Sequence, residues 1–321
     1  MTIFRDLSET RDLVDSFTRP AESLLPVSRL REDPAGEAAR WNSIVELGWL
    51  VIGLPEDAGG VGLSVVEETL AAQTFGRHLI STDYPAAVLA AHGFTQLGEA
   101  DLANDIATGA RRAHLAFRAR QGGGLFAIDA TDDGVLVVLT EQGVDIFENA
   151  RASLHDAEHW ALPVNSVAAA EPKWSLADTG LALRGRLLIA AMLAGIAGEA
   201  CNRGVDYAKV REQFGQPIGA FQAVKHHCAN MAISAYAAQE LVTFAAVSLA
   251  EGTGDADHLV RSALNLALRA ARDNAGLNIQ VHGGMGFSEE CTAHLFLKAA
   301  RLLDAAVGGI SAVRGSLMRT V

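Results

Sequence analysis

The chain has 321 residues, of which 50% are hydrophobic and 20% are charged, and its formal net charge is −12. This length and composition predict a large buried core in two or three domains, and they exclude a disordered chain. The acidic balance offers no basic surface for phosphates, so we expect no nucleic-acid partner.

The cysteines and the apolar stretches bear on the compartment. Cys201, Cys228 and Cys291 are widely spaced and form no CxxC pair, which is typical of reduced thiols and not of a disulfide framework or a zinc site. The first ten residues mix charged with apolar residues, unlike a signal or transit peptide. The longest apolar stretch, 187–198, is too short to span a bilayer. We therefore expect a soluble, cytoplasmic protein that binds no membrane.

Residues 1–112 are predicted to form an N-terminal helical domain, because apolar residues recur there at spacings of three and four. A glycine-rich turn, LPEDAGGVGL at 54–63, separates this pattern from a further helix around 65–75. The clearest helical stripe before that turn comprises Trp41, Ile44, Leu47 and Leu50.

The spacing of apolar residues changes from a helical to a strand-like pattern at Ala113. Glycine-containing hairpin signals at 122–124, 133–134 and 142–143 separate short apolar runs, a pattern that predicts a small β domain over 113–184. A further short strand is expected near 179–184. The predicted strands are 114–117, 125–128, 135–139 and 144–147.

From Gly185 onward the pattern is helical. Four long elements, two identified by their apolar faces and two near 221–250 and 291–308, predict an up-down bundle over 185–321. Two apolar faces support this prediction, one formed by Ile189, Met192, Leu193, Ile196 and Ala200 and the other by Val260, Leu264, Ala267, Leu268 and Ala271.

Two motifs lie in this helical region. The first begins with REQFG at 211–215, which alone would be an ordinary helix C-terminus, and continues as PIGAFQAVKHHCANM at 217–231. The second is QVHGGMGF at 280–287, whose glycines allow backbone amides to approach phosphate oxygens.

A metal site is not expected. His226, His227 and Cys228 are adjacent on a predicted helix, so their side chains point in different directions, and no further ligand has suitable spacing. His282 and His294 have no evident serine or cysteine nucleophile as a partner.

Together the motifs resemble the C-terminal half of the acyl-CoA dehydrogenases, flavoproteins that desaturate acyl-CoA thioesters between Cα and Cβ. The similarity extends to the N-terminal segment 54–63, which resembles the family's PEE.GG.GL pattern. The resemblance covers most of the chain. It implies a mainly α fold with a small β domain: an N-terminal helical domain, a truncated middle β domain and a C-terminal four-helix bundle.

The resemblance also implies a cofactor site. In the family, residues at the matching positions contact the adenosine and pyrophosphate part of an FAD that belongs mainly to a neighbouring subunit. A guanidinium offers fork-like donors to a diphosphate, and a phenyl ring can pack against the cofactor. The implied cofactor-binding residues are Arg211, Gln213, Phe214, Gln222, Gln280, Gly283 and Gly284.

Two parts of the family pattern are missing. The position of the family's catalytic glutamate falls at Val307, and the alternative position used by some members falls at Gly185, so no catalytic residue is predicted. Glu199 and Asp304 are acids near these positions in sequence, but neither matches a family catalytic position. Segments resembling the family's TEP...SD and W.TN, which hold the flavin ring, are also missing from the short β domain.

The resemblance therefore implies the base-lacking subunit of a heteromeric, α2β2 acyl-CoA dehydrogenase that is inactive alone. A full-length partner would supply the glutamate, the substrate would be an acyl-CoA, possibly steroid-derived, and electron-transfer flavoprotein would accept the electrons. Two alternatives stay open. One is a self-sufficient homo-oligomeric dehydrogenase with a relocated base, such as Glu199 or Asp304. The other is a flavin-free scaffold or acyl-CoA-binding protein.

Overall fold

A computed structural model of the chain describes residues 8–118, 124–128, 130, 133–148, 153–154, 164–167 and 171–319. Its N-terminal part is helical, as predicted. The glycine-rich turn at 54–63 leads into α4 through a capping box in which Glu67 accepts a hydrogen bond from the Ser64 backbone amide. The helices of this part are α1 (Ser8–Leu24), α2 (Arg29–Glu32), α3 (Glu37–Glu46), α4 (Val65–Arg77), α5 (Asp83–Leu97) and α6 (Ala100–Ala107).

A seven-stranded sheet follows, and it contains all four predicted strands. Its strand order is β5-β6-β2-β1-β3-β4-β7; β1 and β3 run parallel, and the other neighbours run antiparallel. The strands are β1 (Ala113–Arg118), β2 (Leu125–Ile128), β3 (Val135–Leu139), β4 (Val144–Glu148), β5 (Ser153–Leu154), β6 (Val164–Val167) and β7 (Trp174–Leu176).

Two of the hairpin predictions can be compared with this topology. The turn at 142–143 does join neighbouring strands, because β3 and β4 pair antiparallel and the Thr140 amide donates to the Gly143 carbonyl at 3.0 Å. The signal at 133–134 does not mark a hairpin, because β1 lies between β2 and β3. The glycines at 122–123 lie outside the described residues.

The strand predicted near 179–184 is wrong. Helix α7 (Thr179–Val210) already begins there, because the Asp178 side chain accepts hydrogen bonds from the amides of Gly180 at 2.8 Å and Leu181 at 3.3 Å. These bonds satisfy two of the free amides at the helix start. The helix therefore starts six residues before the predicted boundary at 185, and the strand of this region is β7 instead.

The predicted four long C-terminal helices are confirmed. They are α7, α8 (Gln222–Ala250), α9 (Ala256–His282) and α10 (Ala293–Ala306), and a short α11 (Ile310–Leu317) follows them. Helix α7 is the central element and also packs against α4. A Cβ at Gly76 would lie 2.2 Å from the Met192 carbonyl oxygen, and one at Gly195 would lie 2.1 Å from that of Gln73. Glycine at both positions therefore lets the two helix backbones touch.

Two of these helices, α7 and α8, are long and apolar enough to cross a bilayer by length and composition. The core helix of a soluble protein meets the same criterion, and 89% of the most apolar window of α7 is buried inside the protein. For α8 the buried share is 39%, because one face of that helix is exposed. The absence of a membrane partner stays a prediction.

Candidate functional site

The first motif forms an exposed hairpin between α7 and α8. Helix α7 ends as Arg211 turns to an extended backbone, with φ −75° and ψ 119°. Two short strands follow, β8 (Glu212–Gln213) and β9 (Gln216–Pro217), and the Arg211 carbonyl accepts the Ile218 amide at 2.7 Å. The hairpin therefore has a two-residue tip, Phe214–Gly215.

Phe214 at this tip has a costly conformation. Its φ is +54°, followed by +79° at Gly215, the pair of positive φ values that a type I′ turn requires. A left-handed conformation costs a side-chain-bearing residue about 1–2 kcal/mol. The ring is nevertheless 92% exposed, with an edge-to-face contact to Phe221 at 6.1 Å. A strained, exposed aromatic ring is typical of a binding surface.

Arg211 and Gln222 flank the hairpin. Both side chains are exposed, and Gln222 is the first residue of α8. Within the described part of the chain, no carboxylate forms an ion pair with the Arg211 guanidinium, whereas the nearby Lys209 pairs with Asp206 at 3.1 Å. The Arg211 charge is therefore free to meet an anion from outside this chain.

The second motif forms an open turn at the end of α9. Gly283 has φ 61° and ψ −140°, a backbone conformation essentially restricted to glycine. Gln280, Gly283 and Gly284 are exposed, and a Cβ at either glycine would meet nothing within 4 Å. Packing within the chain would therefore allow a side chain at Gly284. Because glycine has none, a bound molecule can come close to the backbone there.

The fold brings the two motifs together. The rings of Tyr207 on α7 and His282 on α9 stack with centroids 4.1 Å apart and an interplanar angle of 21°. A hydrophobic cluster beneath them includes Ile218 and Val224 after the hairpin and Val281 before the glycine turn. We call the exposed residues around this junction the hairpin–glycine surface; they are Arg211, Gln213, Phe214, Gln222, Gln280, Gly283 and Gly284.

The sequence analysis assigned no role to Tyr207, and it considered His282 only for a nucleophile pair. The signal for Tyr207 is its position one helical turn before Arg211. His282 Nδ1 lies 2.9 Å from the Asn278 carbonyl oxygen, which can only accept, so Nδ1 carries the proton. These contacts fix the orientation of both rings beside the surface.

The residues of the hairpin–glycine surface fit one end of FAD. An unpaired guanidinium suits a diphosphate, an exposed phenyl ring suits an aromatic base, and open glycine backbone admits phosphate oxygens. These residues are exposed, so a cofactor could reach them from outside this chain.

Neither of the two positions of the family base carries an acid. Val307 lines a cavity of about 340 Å³ between β1, the start of α7, α9 and α11. At Gly185 a Cβ would lie 2.8 Å from Leu139 Cδ1 and 2.9 Å from Leu89 Cδ1, so the site has no room for a carboxylate. Neither position can support proton abstraction.

The same cavity contains an acid that the sequence did not reveal. Glu141 is the carboxylate among its described lining residues, and it faces three guanidinium groups: Arg261 at 3.1 Å, Arg319 at 3.4 Å and Arg186 at 3.8 Å. Burial lowers the pKa of Arg186, and the neighbouring Arg261 lowers it further. The cluster fills this end of the cavity with paired charges.

The two acids considered as relocated bases lie elsewhere. Glu199 pairs with Arg203 at 2.9 Å and borders the groove that contains Tyr207 and His282. Asp304 has a buried Oδ1 without a hydrogen-bond partner in the described part of the chain. Neither is among the described residues that line the Val307 cavity.

Comparisons with known proteins agree with this architecture. The model of the acyl-CoA dehydrogenase N-terminal domain matches residues 6–104, and that of the C-terminal domain matches residues 174–320. The chain is 30% identical to the acyl-CoA dehydrogenase FadE34 of Mycobacterium tuberculosis over 96% of its own length. It spans about half of that relative, 47%.

Solved structures show the same fold. The ChsE4–ChsE5 complex from Mycobacterium tuberculosis contains a chain that aligns with a TM-score of 0.80 and 22% identity, covering 99% of this chain and 98% of that one. A chain of the Tcur3481–Tcur3483 steroid ACAD aligns with a TM-score of 0.77 and 21% identity, covering 99% of each chain.

Proposed function

This chain belongs to the acyl-CoA dehydrogenase family, whose cofactor is FAD, and on that premise we propose that it is the non-catalytic subunit of a heteromeric acyl-CoA dehydrogenase. Its hairpin–glycine surface would complete the adenosine and pyrophosphate end of an FAD site. A full-length partner subunit would hold the flavin ring and supply the glutamate that removes the α-proton.

One observation carries the proposal: the residues expected to bind a neighbour's FAD are exposed, while neither base position carries an acid. Arg211 is unpaired within the described residues, and Phe214 is 92% exposed. Val307 is apolar, and Gly185 is packed against Leu89 and Leu139. A chain that worked alone would need a catalytic acid as well as the FAD-binding residues.

The residues of this chain would act by binding and orienting. Bound FAD supplies the hydride acceptor for the bond between Cα and Cβ of the thioester. Arg211 would donate hydrogen bonds to diphosphate oxygens, and Phe214 would cover an aromatic face. The Gly283–Gly284 backbone would approach the same phosphates without a side chain in between. These contacts hold the cofactor in place and leave proton transfer to the partner.

The comparisons support the assembly and the substrate class by analogy. One fold neighbour is named as a complex of two chains, and another is named as a steroid ACAD. We therefore propose an α2β2 assembly that acts on a bulky, steroid-derived acyl-CoA. Electron-transfer flavoprotein is the proposed electron acceptor, and the cytoplasm is the proposed compartment.

Two alternative functions of the same fold have less support. A self-sufficient enzyme would need an acid in the Val307 cavity, and its carboxylate, Glu141, is engaged with three arginines. A flavin-free scaffold would have no use for a strained, exposed Phe214 beside an Arg211 that has no ion-pair partner among the described residues.

Co-expression with a full-length acyl-CoA dehydrogenase from the same organism tests the proposal. The chain should purify colourless alone, and it should purify with its partner as a yellow complex that absorbs near the flavin bands. If the chain alone binds FAD and oxidises acyl-CoA, the proposal is wrong.

A further inference from the structure

One side of α8 is exposed and nearly free of charge. On this helix Ile233 is 68% exposed and Tyr236 is 66% exposed. Apart from two histidines, the charged residues among its 29 are Lys225 and Glu240, whereas 20% of the whole chain is charged. A helix face that meets only water normally carries many charged side chains. The exposed apolar residues of α8 therefore indicate that another molecule covers this side.

Six exposed residues of α8 form a single stripe, which we call the α8 face. At about 100° per residue, their directions fall within about 100° of one another. Their positions are symmetric about a midpoint between Ala232 and Ile233, because the steps along the stripe are four, three, one, three and four residues. The α8 face consists of Lys225, Ala229, Ala232, Ile233, Tyr236 and Glu240.

This symmetry makes the α8 face complementary in size to a second copy of itself. Two copies of α8 related by a two-fold axis at the midpoint would run antiparallel, and each residue would lie opposite its counterpart beyond the midpoint. Ile233 would then meet Ala232, and Tyr236 would meet Ala229. Each large side chain would lie against a small one, so the two helices could interdigitate closely.

The charges of the α8 face are complementary in the same arrangement. Lys225 would lie opposite Glu240 at both ends of the contact, whereas a parallel arrangement would bring like charges together. The two residues are about 22 Å apart along one helix, so they do not pair with each other. Among the described residues of the chain, neither has an ion-pair partner. Both charges are therefore available to a second chain.

We propose that the α8 face binds a second copy of this chain in an antiparallel, two-fold contact. The alternative occupant is an unlike partner chain, but nothing in such a chain would require the symmetric positions and opposite charges of this face. The inference goes beyond the proposed role in FAD binding and does not depend on it. In an α2β2 assembly, the contact would join the two unlike pairs through their copies of this chain.

Sedimentation equilibrium of the purified chain alone tests the proposal, at concentrations up to about 100 µM. The fitted mass should rise with concentration towards twice 33.8 kDa. Ile233→Glu, which places a charge at the centre of the contact, should remain monomeric. Leu97→Glu is the matched control, because Leu97 is 42% exposed at the end of α5, and it should dimerise as the original chain does. A monomer at every concentration, or a dimer that Ile233→Glu leaves unchanged, would overturn the proposal.

Charge reversal identifies the occupant. Lys225→Glu and Glu240→Lys should each weaken the dimer about tenfold, because each places like charges at both ends of the contact. The double variant should dimerise as tightly as the original chain, since it exchanges the two charges. If the folded double variant is as weak as the single variants, the face binds something other than a second copy and the proposal is wrong. FAD content of the heteromeric complex is a separate measurement, so failure of this contact is distinguishable from failure of the FAD proposal.

Discussion

Tyr207 and His282 stack face to face, with their ring centroids 4.1 Å apart. Tyr207 lies one helical turn before Arg211, and His282 directly precedes Gly283. The stack therefore joins the hairpin after α7 to the glycine turn after α9, two motifs that are far apart in sequence. Since both rings belong to this chain, the hairpin–glycine surface is formed before any partner binds.

Arg211→Ala should reduce FAD retention by the heteromeric complex about tenfold to a hundredfold. The reason is the loss of charge-assisted hydrogen bonds, worth about 1.5–3 kcal/mol, at an exposed position where no internal contact is broken. Flavin absorbance per mole of purified complex measures the effect. Lys209→Ala is the matched control, because Lys209 is exposed and pairs with Asp206 in the same helical turn. Equal FAD content in the two variants would show that Arg211 does not bind FAD.

Phe214→Gly should have opposite effects on stability and on cofactor binding. Glycine adopts the φ of +54° without strain, so the isolated chain should gain about 1 kcal/mol in free energy of unfolding. The complex should lose FAD faster, because the exposed ring no longer covers the cofactor. Urea unfolding and flavin release measure the two effects. Higher stability with unchanged flavin release would mean that the ring does not touch FAD.

Gly284→Ala should weaken FAD binding severalfold and leave the fold intact. A Cβ at this position meets nothing within 4 Å of this chain, so any clash must come from a bound molecule. Gly276→Ala on α9 is the matched control, since its Cβ also meets nothing, and a helical alanine should stabilise the chain by about 0.5–1 kcal/mol. If Gly284→Ala retains FAD as well as Gly276→Ala does, the cofactor does not approach the glycine turn.

Much of the architecture followed from sequence periodicity. Four strands and four long helices lie where the spacing of apolar residues predicted them, because that spacing reflects which face of each element is buried. The start of α7 was missed, because TGLALR alternates like a strand and the capping role of Asp178 was overlooked. The Glu141 cluster could not be predicted, since Arg186 reaches it from α7, Arg261 from α9 and Arg319 from the turn after α11. The exposure of Phe214 could not be predicted either, because it follows from the geometry of the hairpin turn and not from the residues next to it in sequence.

Acid stability should depend on Glu68, which is fully buried between α4 and α7 beside Arg184 and His92. Burial alone raises the pKa of this carboxyl, but the attraction of Arg184 and the contact with His92 outweigh it, and the pKa lies below its ordinary value. A lowered folded-state pKa stabilises the protein above the unfolded value, and the contribution is lost as the pH falls through the folded value.

Glu68→Gln should therefore destabilise the chain at pH 7 by about 1–3 kcal/mol, because it leaves the half-buried Arg184 without its counter-charge. Its stability should also fall less steeply below about pH 4 than that of the original chain. Thermal unfolding across pH 3–7 measures both effects. Glu46→Gln, at an exposed position, is the control and should change neither. A Glu68→Gln variant as stable as the control at pH 7 would contradict this account of the buried pair.

Counting FAD in the intact assembly by native mass spectrometry tests the central claim most directly. A subunit that completes a partner's site without holding a flavin ring predicts one FAD per pair of unlike chains, hence two in an α2β2 tetramer. The chain alone should carry none. One FAD for every chain in the complex, or FAD bound to a homo-oligomer of this chain, would contradict the account.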